Sequence, residues 1–458
     1  MFVNQSALLL SNPTQLNYGI AITDVDGDGQ FEAVVAGFGF PNLVLKWTGT
    51  GLENMAPSVI ADRSRQAIGV GAADIDGDGH EELYLLNTDT FGGPKRLSDR
   101  LFDFDGDNWV DLFEVRMNQP VRNLIAGRSV VCVDRFGSGR YGFYVANYGG
   151  PTRLYELDED GRLLDVARDA QINLTTGGRS ALSLPLLSAD RMDIFAANEH
   201  GANFLFRNRG DGTFVEVAES CGLADPDQHG RGVAVLDAND DGQLDLVYGN
   251  WEGPHRLYVR SSESQFTNIA PPEMQAPSRV RTVIAADFDN DGHEEVFFNN
   301  IGQSNRLFAR REGAWQQVDV GEALEPYGLG TGAAVCDFDG DGWLELLVAH
   351  GESAMQPLSL YRVAPVDEHH FLRVLPLTMA GAPARGAVVR VQAGEREWIR
   401  VIDAGSGYLC QMEPVAHFGL GTWTLPVDRI DIQWPDGAQA SLEQVDVDQM
   451  LPVLHPGA

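Results

Sequence analysis

The sequence predicts an all-β protein, with a seven-bladed β-propeller followed by a small β-sandwich. A nine-residue acidic pattern recurs along the chain, and its first aspartates are separated by 50, 163, 50 and 50 residues. Short runs of alternating apolar residues flank each copy, which is typical of β-strands rather than helices. Strand-only repeats of about forty to fifty residues are typical of propellers. We therefore expect residues 1–365 to form the propeller and residues 366–458 the sandwich.

The 163-residue interval leaves room for two degenerate copies of the repeat, which brings the number of blades to seven. One copy begins at Asp134, and a shortened copy spans Ser188, Asp190 and Asp193. Each repeat contains a strand that leads into the acidic pattern, a strand that leaves it, a polar turn and a hairpin. Each blade is therefore predicted to contain four strands.

The two ends of the propeller segment are predicted to meet in one blade. The seventh repeat has a third strand at 358–361 but no fourth, while residues 1–6 resemble the fourth strands at 214–218 and 266–270. Pairing the N-terminal strand with the last repeat would close the ring and leave no unpaired sheet edge. We therefore expect residues 1–6 to complete blade 7.

The acidic pattern reads D-x-D-x-D-G-x-x-E and resembles a loop that folds around one metal ion. Carboxylates at positions 1, 3 and 5 can converge, the glycine at position 6 permits a turn with positive φ, and the acid at position 9 can close the shell. Position 7 varies so widely that it is expected to contribute its backbone carbonyl only. The predicted ligands are Asp24, Asp26, Asp28, Gln30, Glu32, Asp74, Asp76, Asp78, His80, Glu82, Asp237, Asn239, Asp241, Gln243, Asp245, Asp287, Asp289, Asp291, His293, Glu295, Asp337, Asp339, Asp341, Trp343 and Glu345.

Ligand sets made only of oxygen favour Ca²⁺ over Zn²⁺ or copper, and Mg²⁺ fits less well because it keeps several waters. We expect about five Ca²⁺ sites; the alternative is a set of acidic β-turns without metal. One further stretch, Asp103–Asp111, also resembles such a loop. In the register of the repeats it aligns with the outer hairpin of blade 2, and Asn108 replaces the turn glycine. We therefore assign this stretch no metal.

The chain is strongly acidic, with a formal net charge of -33. Such a surface repels nucleic acid and anionic membranes, so we expect neither as a partner. No window approaches 18 consecutive apolar residues, so no membrane insertion is expected either. No signal peptide is visible at the N-terminus, which means that a leader has been removed or that the protein has none.

No catalytic residues can be recognised from their spacing, and we expect no enzyme. His417 lies in an apolar stretch beside Phe418, which favours a structural role. Cys410 is a candidate nucleophile, although a buried strand thiol is the more common case. The cysteines show no C-x-x-C pairing, and Cys132 and Cys336 lie in apolar runs, so free buried thiols are favoured over disulfides.

Four arginines are predicted to line the channel mouth on the face opposite the acidic loops. They open the inner strands of blades 3 to 6. Three of them lie six residues, about 20 Å of strand, before a first-position aspartate, and Arg179 is placed by its alignment with them. Polar turns of the repeats belong to the same face. This set either binds a ligand or pairs internally with neighbouring carboxylates and carbonyls. The candidate ligand-binding residues are Arg128, Arg179, Arg231, Arg281, Asn250 and Trp251.

Several motifs make the sequence resemble a known family. The repeats resemble the FG-GAP/VCBS repeats of integrin α propellers, and the tail resembles the ASPIC/UnbV domain. Together, and in this order, they resemble the cartilage acidic protein 1-like family over essentially the whole chain. The motifs that carry the resemblance outside the acidic loops lie at 12–19, 126–129, 228–232, 385–389, 405–410, 412–418, 417–421 and 434–437.

The resemblance implies a secreted, calcium-binding, acidic protein with a role in adhesion or matrix interaction, in a family without an established enzyme activity. We therefore expect an extracellular, non-enzymatic protein whose propeller face binds a protein or glycan partner. The first alternative is a structural matrix component without a discrete ligand site. The second is a propeller-based hydrolase or lyase, since propellers carry many functions.

Overall fold

The computed structural model describes residues 1–188, 190–262, 264–366 and 368–458. It confirms the predicted fold class, a seven-bladed propeller followed by a two-sheet β-domain. Of the shortened repeat copy in blade 4, Ala189 lies outside the described residues. Within the described parts of the chain, no helix is long and apolar enough to cross a membrane.

The propeller is built almost entirely from short strands. They are β1 (Phe2–Asn4), β2 (Asn17–Thr23), β3 (Glu32–Gly37), β4 (Leu43–Trp47), β5 (Leu52–Asn54), β6 (Ala67–Ala73), β7 (Glu82–Asn87), β8 (Arg100–Phe104), β9 (Trp109–Asp111), β10 (Gly127–Val133), β11 (Gly142–Pro151), β12 (Arg153–Leu157), β13 (Leu163–Asp165), β14 (Thr175–Leu184), β15 (Asp193–Asn198), β16 (Phe204–Asn208), β17 (Phe214–Glu216), β18 (Gly230–Leu236), β19 (Asp245–Asn250), β20 (Arg256–Ser262), β21 (Gln265–Asn268), β22 (Val280–Ala286), β23 (Glu295–Asn300), β24 (Arg306–Arg311), β25 (Ala314–Val318), β26 (Gly330–Cys336), β27 (Glu345–His350) and β28 (Ser359–Val363).

The C-terminal domain and the helices complete the chain. The domain contains β29 (His370–Pro376), β30 (Val388–Ala393), β31 (Arg396–Val401), β32 (Ala416–Gly421), β33 (Val427–Gln433), β34 (Gln439–Val445) and β35 (Met450–Val453). The described helices are α1 (Ser58–Ala61), α2 (Ala218–Cys221) and α3 (Pro272–Gln275), with turns of 3-10 helix at Ser6–Leu8, Gln119–Val121 and Glu322–Leu324.

Each blade is an antiparallel four-stranded sheet, and the first strands of the blades surround a central channel. These inner strands contact one another in sequence, and β26 contacts β2 to close the circle. Blades 3 and 4 are also joined by pairing between β11 and β14. Closure places the apolar faces of neighbouring sheets against each other, which explains why the inner strands are buried along almost their whole length.

The N-terminal strand lies in the last blade. Its residues pair antiparallel with β28, with Phe2 opposite Val363. The Phe2 ring packs edge-on against Phe288, with 4.9 Å between the ring centroids. Blade 7 therefore takes strands from both ends of the propeller segment, which ties the ring together.

The C-terminal domain contains two sheets that enclose one apolar core. One sheet has the order β31-β30-β33-β34, and the other has the order β32-β29-β35, in which β29 and β35 run parallel. Leu372, Val389, Phe418, Ile430 and Trp434 belong to the shared core. The period-2 burial of β33 and β30 matches a strand with one face on a core.

The C-terminal domain covers the face of the propeller that carries the acidic loops. Trp398 Nε1 donates to the Gly292 carbonyl at 2.9 Å, and Arg390 Nη1 donates to the Gly242 carbonyl at 2.9 Å. The fully buried Arg385 forms an ion pair with Glu81 at 2.8 Å. These contacts attach the domain to several blades at once.

Residues 403–413, here called the channel segment, leave the C-terminal domain and enter the propeller channel. The Gln411 amide donates to the Ile20 carbonyl at 2.9 Å, and the Gly407 amide donates to the Val233 carbonyl at 2.7 Å. Gly407 has φ 62°, and a Cβ there would lie 2.9 Å from the Thr282 methyl group. The segment is therefore held by the inner strands on several sides, and glycine is required where it passes closest to them.

Candidate metal loops and the arginine cup

The five acidic loops share one hydrogen-bond frame. In each loop, the glycine amide at position 6 donates to the aspartate at position 1, and the amide at position 2 donates to the acid at position 9. The position-6 glycines have φ values from 74° to 97°, which favour glycine. The backbones of the five loops are thus folded the same way.

The structure brings three carboxylates together in four of these loops. The groups are Asp24, Asp26 and Glu32; Asp74, Asp76 and Asp78; Asp287, Asp289 and Asp291; and Asp337, Asp339 and Glu345. In the loop of blade 5, the Asn239 side-chain amide instead donates to Asp241 at 3.0 Å. Hard oxygen atoms that converge in this way can hold a divalent cation.

In the blade 1 loop, a lysine side chain stands where a cation would bind. Lys46 Nζ lies 2.7 Å from Asp26, 2.8 Å from Asp28 and 2.9 Å from Glu32. Burial opposes the charge on Lys46, but hydrogen bonds to these three carboxylates outweigh it and raise the lysine pKa. The loop geometry therefore accepts a positive charge at its centre, which fits a metal site.

Arginines reach the loops of blades 6 and 7 in the same way. Arg311 pairs with Asp291 and lies 3.1 Å from Asp289, and Arg362 lies 2.6 Å from Asp341. In the blade 6 loop, two buried carboxylate oxygens, Asp287 Oδ1 and Glu295 Oε1, have no hydrogen-bond partner among the described residues. Buried carboxylate oxygens without a partner are costly, so this donor set also fits a cation.

The blade 2 loop has an additional carboxylate instead of a tethered cation. Asp103 lies on β8, and its carboxylate groups with those of Asp76 and Glu82. Burial, followed by the charges of Asp76 and Asp78, raises the pKa of Asp103 to about 6. Burial and the neighbouring acids raise the pKa of Glu82 to about 10. Like charges at this distance repel unless a cation or protons compensate them.

Asp103 is a candidate ligand that the sequence analysis did not include. The stretch from Asp103 to Asp111 does form a hairpin, with Phe104 opposite Trp109. The Asp103 carboxylate, however, lies beside Asp76 and Glu82 of the acidic loop in the same blade. The register of the strand pairing could have revealed it. In each of blades 1, 2 and 7, the first residue after position 9 pairs with a residue on the third strand. The next residue on that strand is Lys46, Asp103 or Arg362.

The four predicted arginines come together at the other end of the channel, in what we call the arginine cup: Arg128, Arg179, Arg231 and Arg281. All four line one cavity of about 620 Å³. Their guanidinium groups lie over aromatic rings, at 4.5 Å from the Tyr148 centroid for Arg179 and 4.9 Å from the Trp251 centroid for Arg281. Stacking on aromatic faces holds guanidinium groups in fixed orientations.

Two glutamates partly neutralise the arginine cup. Glu199 forms ion pairs with both Arg179 and Arg231, and Glu352 lies 2.9 Å from Arg281. Burial opposes the charge on Glu199, but the two arginines prevail and lower its pKa to about 2. Arg128 donates to the Phe91 carbonyl instead of a carboxylate. Ion pairs with carboxylates of this chain therefore neutralise the arginine cup only in part.

In the described part of the chain, the arginine cup contains N–H donors without a hydrogen-bond partner as well as positive charge that is not neutralised. The Nε atoms of Arg128, Arg231 and Arg281 are buried and have no hydrogen-bond partner among the described residues. Arg128 and Arg231 are only 7% and 3% exposed. A buried donor without a partner costs free energy, so the cavity is suited to an acceptor from outside.

The channel segment places Tyr408 among these arginines. The Tyr408 hydroxyl lies 3.4 Å from Arg179 Nη1, and the Arg281 guanidinium lies 5.9 Å from the ring centroid. Burial opposes ionisation, but the four arginines outweigh it and lower the Tyr408 pKa to about 8. Sequence analysis could not place this residue, because it lies in another domain and reaches the cavity through the channel.

Two other predicted residues lie away from the cavity. Asn250 is fully buried at the end of β19, where its side-chain amide donates to the Pro254 carbonyl at 2.7 Å. Cys410 belongs to the channel segment rather than to a strand, and burial raises its thiol pKa to about 11. An unionised thiol is a poor nucleophile.

His417 and the cysteines have structural surroundings. His417 Nε2 lies 2.7 Å from Asn290 Oδ1, and burial followed by two nearby arginines holds its pKa well below the usual value. All four cysteines are buried and free. The structure therefore gives these residues packing and hydrogen-bonding environments.

Known proteins resemble this chain over most of its length. Residues 378–458 match the family model described as ASPIC and UnbV. The chain is 50% identical to cartilage acidic protein 1 of Homo sapiens, over 97% of this chain and 73% of the relative. The protein of the same name from Xenopus tropicalis is 49% identical, over 97% of this chain and 75% of the relative. The model of the FG-GAP-like repeat matches residues 8–85, 190–248, 237–298 and 287–348.

Among solved structures, YCF48 bound to D1 peptide matches 80% of this chain and 94% of that chain, with a TM-score of 0.47 and 10% identity. The assignment of the family rests on the relatives, which share about half of their residues with this chain, and on both family models. The protein therefore belongs to the cartilage acidic protein 1 family.

Proposed function

We propose that this protein is a non-enzymatic, extracellular interaction protein whose channel-mouth face binds an anionic protein or glycan partner. The observation that carries the proposal is the arginine cup, in which the four guanidinium groups form ion pairs with only two carboxylates among the described residues, Glu199 and Glu352. In a chain of net charge -33, a cavity whose positive charge is only partly neutralised directs anionic groups to one place. Paired N–H donors of arginine suit carboxylate, sulfate and phosphate groups.

We further propose that the acidic loops bind Ca²⁺ and hold the propeller in shape for that interaction. The support is the shared loop frame and the carboxylates that converge inside it. Calcium accepts six to eight oxygen ligands in flexible geometry, which matches loops built from carboxylates and carbonyls. The ions would stabilise the blades without taking part in partner binding.

The test is a double substitution in the arginine cup, Arg231→Ala with Arg281→Ala. The wild-type protein and the variant are compared in calcium for binding to a panel of anionic glycans and to proteins from a cell-surface extract of the source organism. We expect the wild type to bind and the variant to lose at least about tenfold in affinity, since two charge-assisted contacts are removed. Glu199 keeps Arg179 as its partner, and Glu352 is exposed to solvent, so the fold should survive.

A matched control removes the same charge elsewhere. Arg96 and Arg429 are exposed, and Arg96→Ala with Arg429→Ala should leave partner binding unchanged. Thermal unfolding is measured on both variants. If the wild type bound nothing in either set and the cup variant unfolded at a much lower temperature, the arginines would be structural and the proposal would be wrong.

A further inference from the structure

Tyr408 contributes the one polar side chain of the C-terminal domain to the described lining of the arginine cup. The ring is 3% exposed and is held from both sides of the channel. The Leu409 carbonyl accepts from the Val70 amide, and the Ser180 hydroxyl donates to the Gly407 carbonyl at 2.7 Å. The Tyr408 side chain therefore cannot leave the cavity unless the hydrogen bonds between the channel segment and the inner strands break.

The ion pairs of the cavity leave one arginine available to bind a further anion. Glu199 occupies Arg179 and Arg231, and Glu352 occupies Arg281, but Arg128 has no carboxylate partner among the described residues. Tyr408 lies among all four guanidinium groups, which dominate the charge around it. An oxyanion bound here would meet guanidinium donors and the phenol hydroxyl, which can itself donate a hydrogen bond.

We propose that Tyr408 is a ligand-contacting residue of the arginine cup and regulates it: the neutral hydroxyl donates to a bound oxyanion, whereas the phenolate supplies the missing negative charge and excludes that oxyanion. This inference rests on the proposed function of the same face, and it adds the ligand chemistry and a control by pH. The ligand group is a carboxylate, sulfate or phosphate with at least one free oxygen. The device is composite, because the arginines belong to the propeller and the phenol belongs to the C-terminal domain.

The electrostatic surroundings support this switch. Burial alone would raise the pKa of Tyr408, yet the four arginines bring it down to about 8, so the phenolate forms just above neutral pH. Tyr18 behaves oppositely, because burial and then Glu352 raise its pKa. The charged and titratable groups around Tyr408, from every element packed against it, are Arg128 on β10, Arg179 on β14, Arg231 on β18, Arg281 on β22, Tyr18 on β2, and Asp89, Glu199 and Glu352 in the turns.

The experiment measures binding of sulfate and of glucuronate to the full chain in calcium, by calorimetry between pH 6.5 and pH 9.5. For the wild type we expect affinity to fall about tenfold between pH 7 and pH 9, because only the neutral-phenol form binds. Tyr408→Phe should bind about three- to tenfold more weakly at pH 7, since one donor is lost, and should show no such fall at high pH. The sulfate and carboxylate arms show which oxyanion the cavity prefers.

A control tyrosine and a spectroscopic readout separate this role from a structural one. Tyr18→Phe should keep the wild-type pH profile. Difference absorbance near 295 nm should show one phenol that ionises near pH 8 in the wild type and is absent from Tyr408→Phe. Saturating sulfate should shift that ionisation to higher pH, because the anion binds the neutral form.

Two results would overturn the inference. One is a pH profile that Tyr408→Phe leaves unchanged, and the other is a wild type that binds neither sulfate nor glucuronate at pH 7. The proposed function stands or falls separately, because it requires arginine-dependent binding to the glycan panel or to the extracted proteins. Such binding with a pH profile that ignores Tyr408 would refute the switch alone.

Discussion

The acidic loops of blades 1 and 2 have the same backbone frame and opposite charge arrangements. In blade 1 the third strand directs Lys46 into the loop, 2.7 to 2.9 Å from three carboxylates. In blade 2 the equivalent position is Asp103, which adds a carboxylate to the loop. One loop therefore carries its own counter-charge, and we expect the other to depend more strongly on a cation from solution. One residue outside the loop, on the third strand of the blade, thus sets whether a positive or a further negative charge lies beside the loop carboxylates.

Removal of metal should have the largest effect on stability, and it should affect the loops of blades 1 and 2 differently. A site that binds Ca²⁺ at tenfold to hundredfold excess over its dissociation constant stabilises by about 1.4–2.7 kcal/mol, and several sites add together. We expect a chelator to lower the melting temperature by more than about 10 °C, measured by calorimetry before and after calcium is restored. The blade 2 loop should account for more of the loss than the blade 1 loop.

The matching control is addition of Mg²⁺ in place of calcium, which should restore less of the stability because Mg²⁺ demands octahedral geometry. A shift below about 2 °C on chelation would contradict the metal assignment of the loops. It would also mean that the tethered cations and the protonated carboxylates are sufficient to hold the loops.

The metal-free protein should lose stability as pH rises from about 5.5 to 8. Burial and neighbouring carboxylates raise the pKa of Asp74 to about 6, of Asp245 to about 7 and of Asp287 to about 8, above the values of unfolded chains. The folded state then binds more protons than the unfolded state in this window, so unfolding becomes easier as the protons leave. We expect the melting temperature in chelator to be about 5 °C lower at pH 8 than at pH 5.5.

Calcium should remove this trend, because a bound ion keeps the carboxylates charged without cost. Melting scans at several pH values, with chelator and with calcium, provide the measurement. Should the metal-free protein become more stable toward pH 8, the raised pKa values would not describe the loops.

The ring and the loops could be predicted from the sequence because both produce repeated sequence patterns. The interval of 50 residues and the D-x-D-x-D-G-x-x-E spacing each recur, and the strands on both sides of a loop are local in the chain. Asp103 escaped the prediction for a physical reason. Its contact with Asp76 and Glu82 depends on the register of a hairpin, and a shift of one residue would turn its side chain to the opposite face.

Tyr408 was beyond sequence reasoning for a different reason. Two inner-strand residues that line its cavity, Arg281 and Tyr18, precede it by 127 and 390 residues in the chain. The residues from 403 to 413 do not reveal that this segment enters another domain. Its hydrogen-bond partners, such as Val233 and Ile20, belong to the propeller and lie far away in the sequence. The four arginines were predicted because they occupy one position of the repeat.

Giving blade 2 the cation that blade 1 has should reverse its behaviour. In Asp103→Lys, the new ammonium group can pair with Asp76 and Glu82 and should stabilise the metal-free protein by about 1–3 kcal/mol. The same substitution should lower calcium affinity at this loop, which a calorimetric titration would show. Asp103→Asn is the control, since it removes the added charge without supplying a cation and should weaken the site only.

Removal of the tethered cation should have the smallest effect and a sign that depends on calcium. In Lys46→Met, the metal-free protein keeps Asp26, Asp28 and Glu32 together without a counter-charge, and we expect a loss of about 1–3 kcal/mol. In calcium the loss should vanish, because the ion no longer competes with the ammonium group, and calcium affinity at this loop should rise. Arg362→Met makes the same test in blade 7. A loss of stability that is equal with and without calcium would show that Lys46 stabilises blade 1 by packing, and the contrast between the two loops would then not be one of charge.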